Sequence, residues 1–225
     1  MLFSYDWRQD NRRSAKDLDD KMLSEPWIST IKDRKIIIVA HSMGGLVTTY
    51  WYNYFYKDNP DRYPFKSIEK VVYLGTPHLG ATSMLVTMIE GYSSSHTDGW
   101  LYKGLQNALH LFGDLASSGH TFPSTYQLLP TDNKVVSLYE RGSFRDYPDV
   151  FSIATWKKFD WLSRVRGDRS VDEFYDSITP LLKNGLRFHE ELAKFDIVPN
   201  SIYFYGNNHP TPTSIRVNDA GDSYK

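Results

Sequence analysis

The chain has 225 residues, 40% hydrophobic and 24% charged, enough for a sizeable folded core. Its formal net charge of −1 supplies no basic excess to hold nucleic acid or an anionic membrane. Cysteine is absent, which excludes a disulfide framework, a cysteine nucleophile and a cysteine-bound metal. No apolar run reaches the roughly 20 residues of a membrane span. Met1-Leu2-Phe3-Ser4-Tyr5 is too short for a signal peptide and lacks a basic start, so compartment is not readable. Aromatic residues make up 15%, which suits a thick core or a large apolar pocket.

Leu2 to Tyr5 reads as a short strand ending at Asp6-Trp7-Arg8. From Ser14 to Lys32, Leu18, Met22, Leu23, Trp27, Ile28 and Ile31 recur at helical spacing, with Pro26 set to break or kink the helix. Ile36-Ile37-Ile38-Val39 predicts a strand buried on both faces, as in a parallel sheet. Gly44 to Lys57 reads as an amphipathic helix and Ile68 to Leu74 as a second strand. After residue 82 the strand rhythm fades. Trp100 to Ala116 has helical spacing. Ser170-Val171-Asp172-Glu173 is a capping box for a helix to about Thr179, and Pro180 and Gly185 predict its division from a further stretch ending near Phe195. Strand pattern returns at Ile202 to Tyr205, before a turn-rich Gly206-Asn207-Asn208-His209-Pro210. Strands linked by helical crossovers indicate an α/β fold with a mostly parallel sheet. The expected division is an α/β core from 1–81 and 199–225, with a helical cap or lid insertion at 82–198.

Strand, tight turn and helix meet at Ala40-His41-Ser42-Met43-Gly44-Gly45, which matches the G-x-S-x-G nucleophile elbow with Ala for the first Gly. Such a turn strains the serine backbone and presses strand and helix together, so the positions two before and two after must be small. It exposes the Ser42 hydroxyl at the C-terminal edge of the sheet. It also offers the Met43 backbone N–H to a developing oxyanion. The bland alternative for the same residues is a plain strand-to-helix turn.

Four segments occur in order: Tyr5-Asp6-Trp7-Arg8, Ala40-His41-Ser42-Met43-Gly44-Gly45-Leu46, Gly75-Thr76-Pro77-His78-Leu79-Gly80-Ala81, and Tyr205-Gly206 with Pro210-Thr211-Pro212-Thr213. Together they resemble the lecithin:cholesterol acyltransferase family, with the related phospholipid:diacylglycerol acyltransferases. They span residues 5 to 213, and the stretch between matches loosely, through Tyr126 to Pro130. The resemblance implies an α/β-hydrolase fold, a Ser-Asp-His triad, and acyl transfer from a glycerolipid ester to a hydroxyl acceptor such as a sterol or diacylglycerol, or to water. It places the nucleophile at Ser42 and one oxyanion donor at Met43. Its partners are a lipid ester and an acyl acceptor. Transient contact with a membrane or lipid surface is left open, no nucleic acid is expected, and no cofactor or metal is needed.

The triad order is Ser, acid, His. Gly221-Asp222 is a faint echo of the family's acid motif, which makes Asp222 the candidate acid, and no histidine follows it. His41 should point away from the Ser42 hydroxyl. His41, His78, His209 and Trp7 are the candidate pocket residues. For Asp6-Trp7-Arg8 the competing reading is a structural Asp–Arg pair with a packed Trp. His96, His110, His120 and His189 read as solvated or packed. The sequence therefore reads as a piece of a longer lipase or acyltransferase lacking both ends. Two alternatives stay open: an inactive lipid-binding fragment, and a lipase-like thioesterase or amidase.

Overall fold

The computed structural model describes residues 1–26, 30, 33–90, 118–132, 134–140, 143–144, 148–208, 213–218 and 223–224. They fall into two compact units, 1–78 with 188–210, and 79–187 with 211–225.

The first unit is built on a parallel sheet. Its strands are β1 (Lys35–His41), β2 (Ser67–Leu74) and a strand at Ser201–Phe204, in that spatial order with β2 central. The β-branched run of β1 forms the expected strand, but only one of its faces is covered. Ala40 is 5% exposed, whereas Ile37 and Val39 are 56% and 64% exposed. The register continues that open face through Val72 and Ile202, and through Leu74 and Phe204. A continuous apolar run cannot reveal which face is packed, because both faces are apolar. Residues 1–6 form no strand; Phe3 and Tyr5 stack instead, ring centroids 5.5 Å apart.

Helix α1 (Asn11–Ser24) is capped by the Asp10 side chain, which accepts from the Arg12 amide. It ends where Pro26 requires. Glu25 takes φ −65° and ψ 119°, the extended backbone favoured before proline. The expected continuation at 27–29 and 31–32 lies outside the described residues. Helix α2 (Met43–Trp51) runs on through a π turn, Tyr52–Tyr56, closed by the Lys57 amide bonding the Tyr52 carbonyl at 2.9 Å. The two helices meet around buried Asp19, which accepts from Trp51 Nε1, Tyr63 Oη and Arg62 Nη2.

The second unit opens with helix α3 (Thr82–Glu90) and a short helix α4 (Pro123–Gln127). It is not purely helical: β3 (Val136–Glu140) and β4 (Ser143–Phe144) follow. Helices α5 (Ile153–Phe159), α6 (Ser163–Arg166) and α7 (Val171–Leu192) come next. After β5 (Ser201–Phe204), the chain supplies β6 (Ile215–Asn218) and β7 (Ser223–Tyr224). The sheet order is β4-β3-β6-β7, with β3 and β6 parallel. Residues 188–198 group with the first unit and 211–225 with the second. Trp156, Tyr126, Phe174, Tyr175, Leu138 and Val217 lie in this unit's core, each 1% exposed or less.

Pro180 and Gly185 do not divide α7, which is one helix of 22 residues. The Glu173 amide bonds the Ser170 hydroxyl at its start, as the capping box requires. A Cβ on Gly185 would stand 2.4 Å from the Tyr126 carbonyl oxygen, so this glycine permits close packing rather than ending a helix. The stretch 100–116 lies outside the described residues. Among the described residues, no helix is long and apolar enough to cross a membrane.

Candidate active site

Ser42 follows the last residue of β1 and precedes the first residue of α2. Its backbone has φ 51° and ψ −129°, positive φ at a side-chain-bearing residue. L-residues reach this region only when their surroundings hold them there, and such residues cluster at active sites. Two bonds hold this one. The Ser42 amide donates to the Leu74 carbonyl at 2.9 Å, tying the turn to the end of β2. The Ser42 carbonyl accepts from the Gly45 amide at 2.9 Å, closing the first turn of α2. The Ser42 side chain makes no capping bond to the helix. Met43, at the first position of α2 and 8% exposed, has an amide among those that a helix leaves without an internal acceptor.

The small residues serve unequal roles. Ala40 is buried, as expected two positions before the serine. Gly44, two positions after, has more room than the motif suggests: a Cβ there would be 3.7 Å from Tyr5 Oη, an ordinary contact. The compelled glycine is the next one. A Cβ on Gly45 would lie 2.0, 2.4 and 2.7 Å from the Oγ1, Cγ2 and Cβ of Thr76. The second Gly of Gly44-Gly45, and Thr76 as its counterpart, are what the motif alone did not single out.

His78 lies just past β2. Its ring stands edge-on to Tyr73 at 5.0 Å and to Tyr203 at 5.6 Å. Tyr73 is fixed by a 2.9 Å bond between its hydroxyl and Thr49 Oγ1, and burial pushes its phenol up to about 12. Burial holds the His78 imidazole below its ordinary value, so the ring is neutral near pH 7. Its Nε2, like Thr76 Oγ1, is buried with no hydrogen-bond partner among the described residues. His41 ends β1 on the open face and is exposed. Trp7 is half-buried between Asp6 and Arg8, which pair through Nε–Oδ1 at 2.8 Å and Nη2–Oδ2 at 2.9 Å. The hydrogen bonds from Arg8 hold the Asp6 carboxyl down at about 2. Asp222 and His209 lie outside the described residues, as do His96 and His110. Among the described residues, no group of three or more His, Asp or Glu side chains could hold a metal ion.

Chemically, this arrangement offers a hydroxyl held at a strained turn on a helix N-terminus, while the neutral His78 imidazole packs against Tyr73 and Tyr203 just past the neighbouring strand. The lecithin:cholesterol acyltransferase family matches residues 1–138, more than half of the chain. No curated protein matches it. Among solved structures, a chain of the Tle4–Tli4 complex superposes with a TM-score of 0.66 at 19% identity. The match covers 94% of this chain and 46% of that one, so the chain spans less than half the length of its structural neighbour. The fold is thus α/β, of α/β-hydrolase type.

Proposed function

The chain belongs to the lecithin:cholesterol acyltransferase family, and from that premise we propose that Ser42 is the nucleophile of an acyl-transfer reaction on a glycerolipid ester. The observation that carries this reading is the positive φ of Ser42 at the strand–helix junction, pinned by Leu74 and Gly45. A serine held this way presents its hydroxyl away from both elements.

In the proposed reaction, Ser42 Oγ attacks the ester carbonyl carbon and its proton passes to a base. Charge builds on the carbonyl oxygen, where the Met43 amide and the α2 N-terminus stabilise it. The bond to the lipid alcohol breaks, that alcohol leaves with the proton, and an acyl-Ser42 ester remains. The hydroxyl of an acceptor, a sterol or diacylglycerol, then attacks the acyl carbon, and Ser42 regains its proton. Water in place of the acceptor gives a free fatty acid, which is lipase chemistry. Asp222 is carried as the proposed acid, and Trp7, His41, His78 and His209 as proposed pocket residues.

A fluorophosphonate probe tests the assignment. The protein is expected to take up the probe at Ser42, and Ser42→Ala to lose it. Uptake that persists in the alanine variant would assign the nucleophile elsewhere. Products from a phosphatidyl ester offered with sterol or diacylglycerol then decide the acceptor: acylated acceptor supports the transferase, free fatty acid alone the lipase.

A further inference from the structure

Tyr5 is the part of the elbow's surroundings that the reading above leaves unused. Its hydroxyl is the group that a Cβ on Gly44 would meet, at 3.7 Å, beside the first turn of α2. That is the turn carrying Ser42 and the Met43 amide. The phenol is half-buried. Among the described residues, none donates to its hydroxyl or accepts from it. Such a hydroxyl, its bonding capacity unspent within the chain, is open to a partner from outside it.

The ring is also held in place. It stacks on Phe3 with an interplanar angle of 19°, and the backbone just after it is fixed by the Asp6–Arg8 pair and the Arg8 amide bonding Asp6. A phenol has few torsions, so a stacked one delivers its hydroxyl with little further entropy to lose. Burial raises its pKa, so it remains a proton donor through neutral and mildly alkaline pH.

Taking Ser42 as the nucleophile, we propose that the Tyr5 hydroxyl donates a hydrogen bond to an oxygen of the ester held on Ser42. It acts beside the Met43 amide, as a group whose bond to that oxygen strengthens as the attack proceeds. The chemical class it selects is an acyl ester with an oxygen acceptor on the side of Tyr5.

The experiment is the rate of fluorophosphonate reaction at Ser42, followed against probe concentration, in the parent protein and in Tyr5→Phe. Phenylalanine keeps the ring, the Phe3 stack and the volume. The expected result is a saturating rate about tenfold lower, with half-saturation and thermal midpoint little changed, as befits one lost donor. Replacing Tyr5 by 4-aminophenylalanine returns a donor at the same place and should recover much of the rate, whatever Tyr5→Phe does to folding. An unchanged saturating rate in Tyr5→Phe overturns this inference while leaving Ser42 in place. Absence of rescue by the amino variant overturns it too. No reaction at Ser42 in the parent protein overturns the reading of the site, and this inference with it.

Discussion

A Cβ on Gly45 would stand 2.0 Å from Thr76 Oγ1, so the helix that carries Ser42 and the segment after β2 touch at a distance only glycine allows. Gly45→Ala should therefore destabilise the first unit by about 2 kcal/mol, the usual scale of overpacking, and slow probe uptake at Ser42. Adding Thr76→Gly removes all three offending atoms and should recover part of both. Chemical denaturation and labelling rates check it. Equal stability of Gly45→Ala and the parent would show that the contact yields freely.

Gly185 poses the same question with a competing effect. Inside a helix, alanine is favoured over glycine by about 1 kcal/mol. Here the added methyl would meet the Tyr126 carbonyl oxygen at 2.4 Å, and backbone cannot rotate aside. The clash should win, leaving Gly185→Ala less stable by about 2 kcal/mol, measured by denaturant midpoint at unchanged slope.

Asp19 is 1% exposed and accepts from Trp51 Nε1, Tyr63 Oη and Arg62 Nη2. Asp19→Ala strands two buried donors and should cost about 3 kcal/mol. Asp19→Asn keeps an acceptor and should cost less. Arg62 is 43% exposed, so Arg62→Ala should cost under about 1 kcal/mol. The order of the three midpoints is the test.

His78 makes a pH prediction. Burial lowers its folded pKa below the ordinary value of about 6.5, so between those two values the unfolded chain binds more protons. Its contribution is present above about pH 6.5 and is lost as pH falls through the folded pKa. Tyr73, which faces it, is pushed up to about 12 and does not titrate in this window. Asp6, held at about 2, titrates below it. The thermal midpoint should therefore drop between pH 7.5 and 5 in the parent, and less in His78→Leu. Parallel curves would remove His78 from the account.

How much of this was legible follows from how local each signal is. The elbow was readable because strand, serine, small residues and helix are contiguous. The three strands of the first sheet were readable from their β-branched and aromatic residues. The division into units was not, because it depends on β3 pairing with β6, Val136 with Ile215, which no local pattern announces. The helix through Pro180 and Gly185 was misread for a related reason. Proline removes one helical bond and glycine weakens propensity, but packing against Tyr126 makes the small residue fit. The open face of β1 was hidden because Ile37 and Val39 look no different in sequence from Ile36 and Ile38. Tyr5 was read as strand, and its place beside Gly44 came only with the fold.

The central claim is that Ser42 carries the acyl group. The most direct measurement is peptide mass mapping after brief exposure to a phosphatidyl ester and acid quench. The account predicts an added acyl mass on the peptide containing Ser42, absent from Ser42→Ala. An acyl adduct on another residue, or one that survives Ser42→Ala, would contradict it.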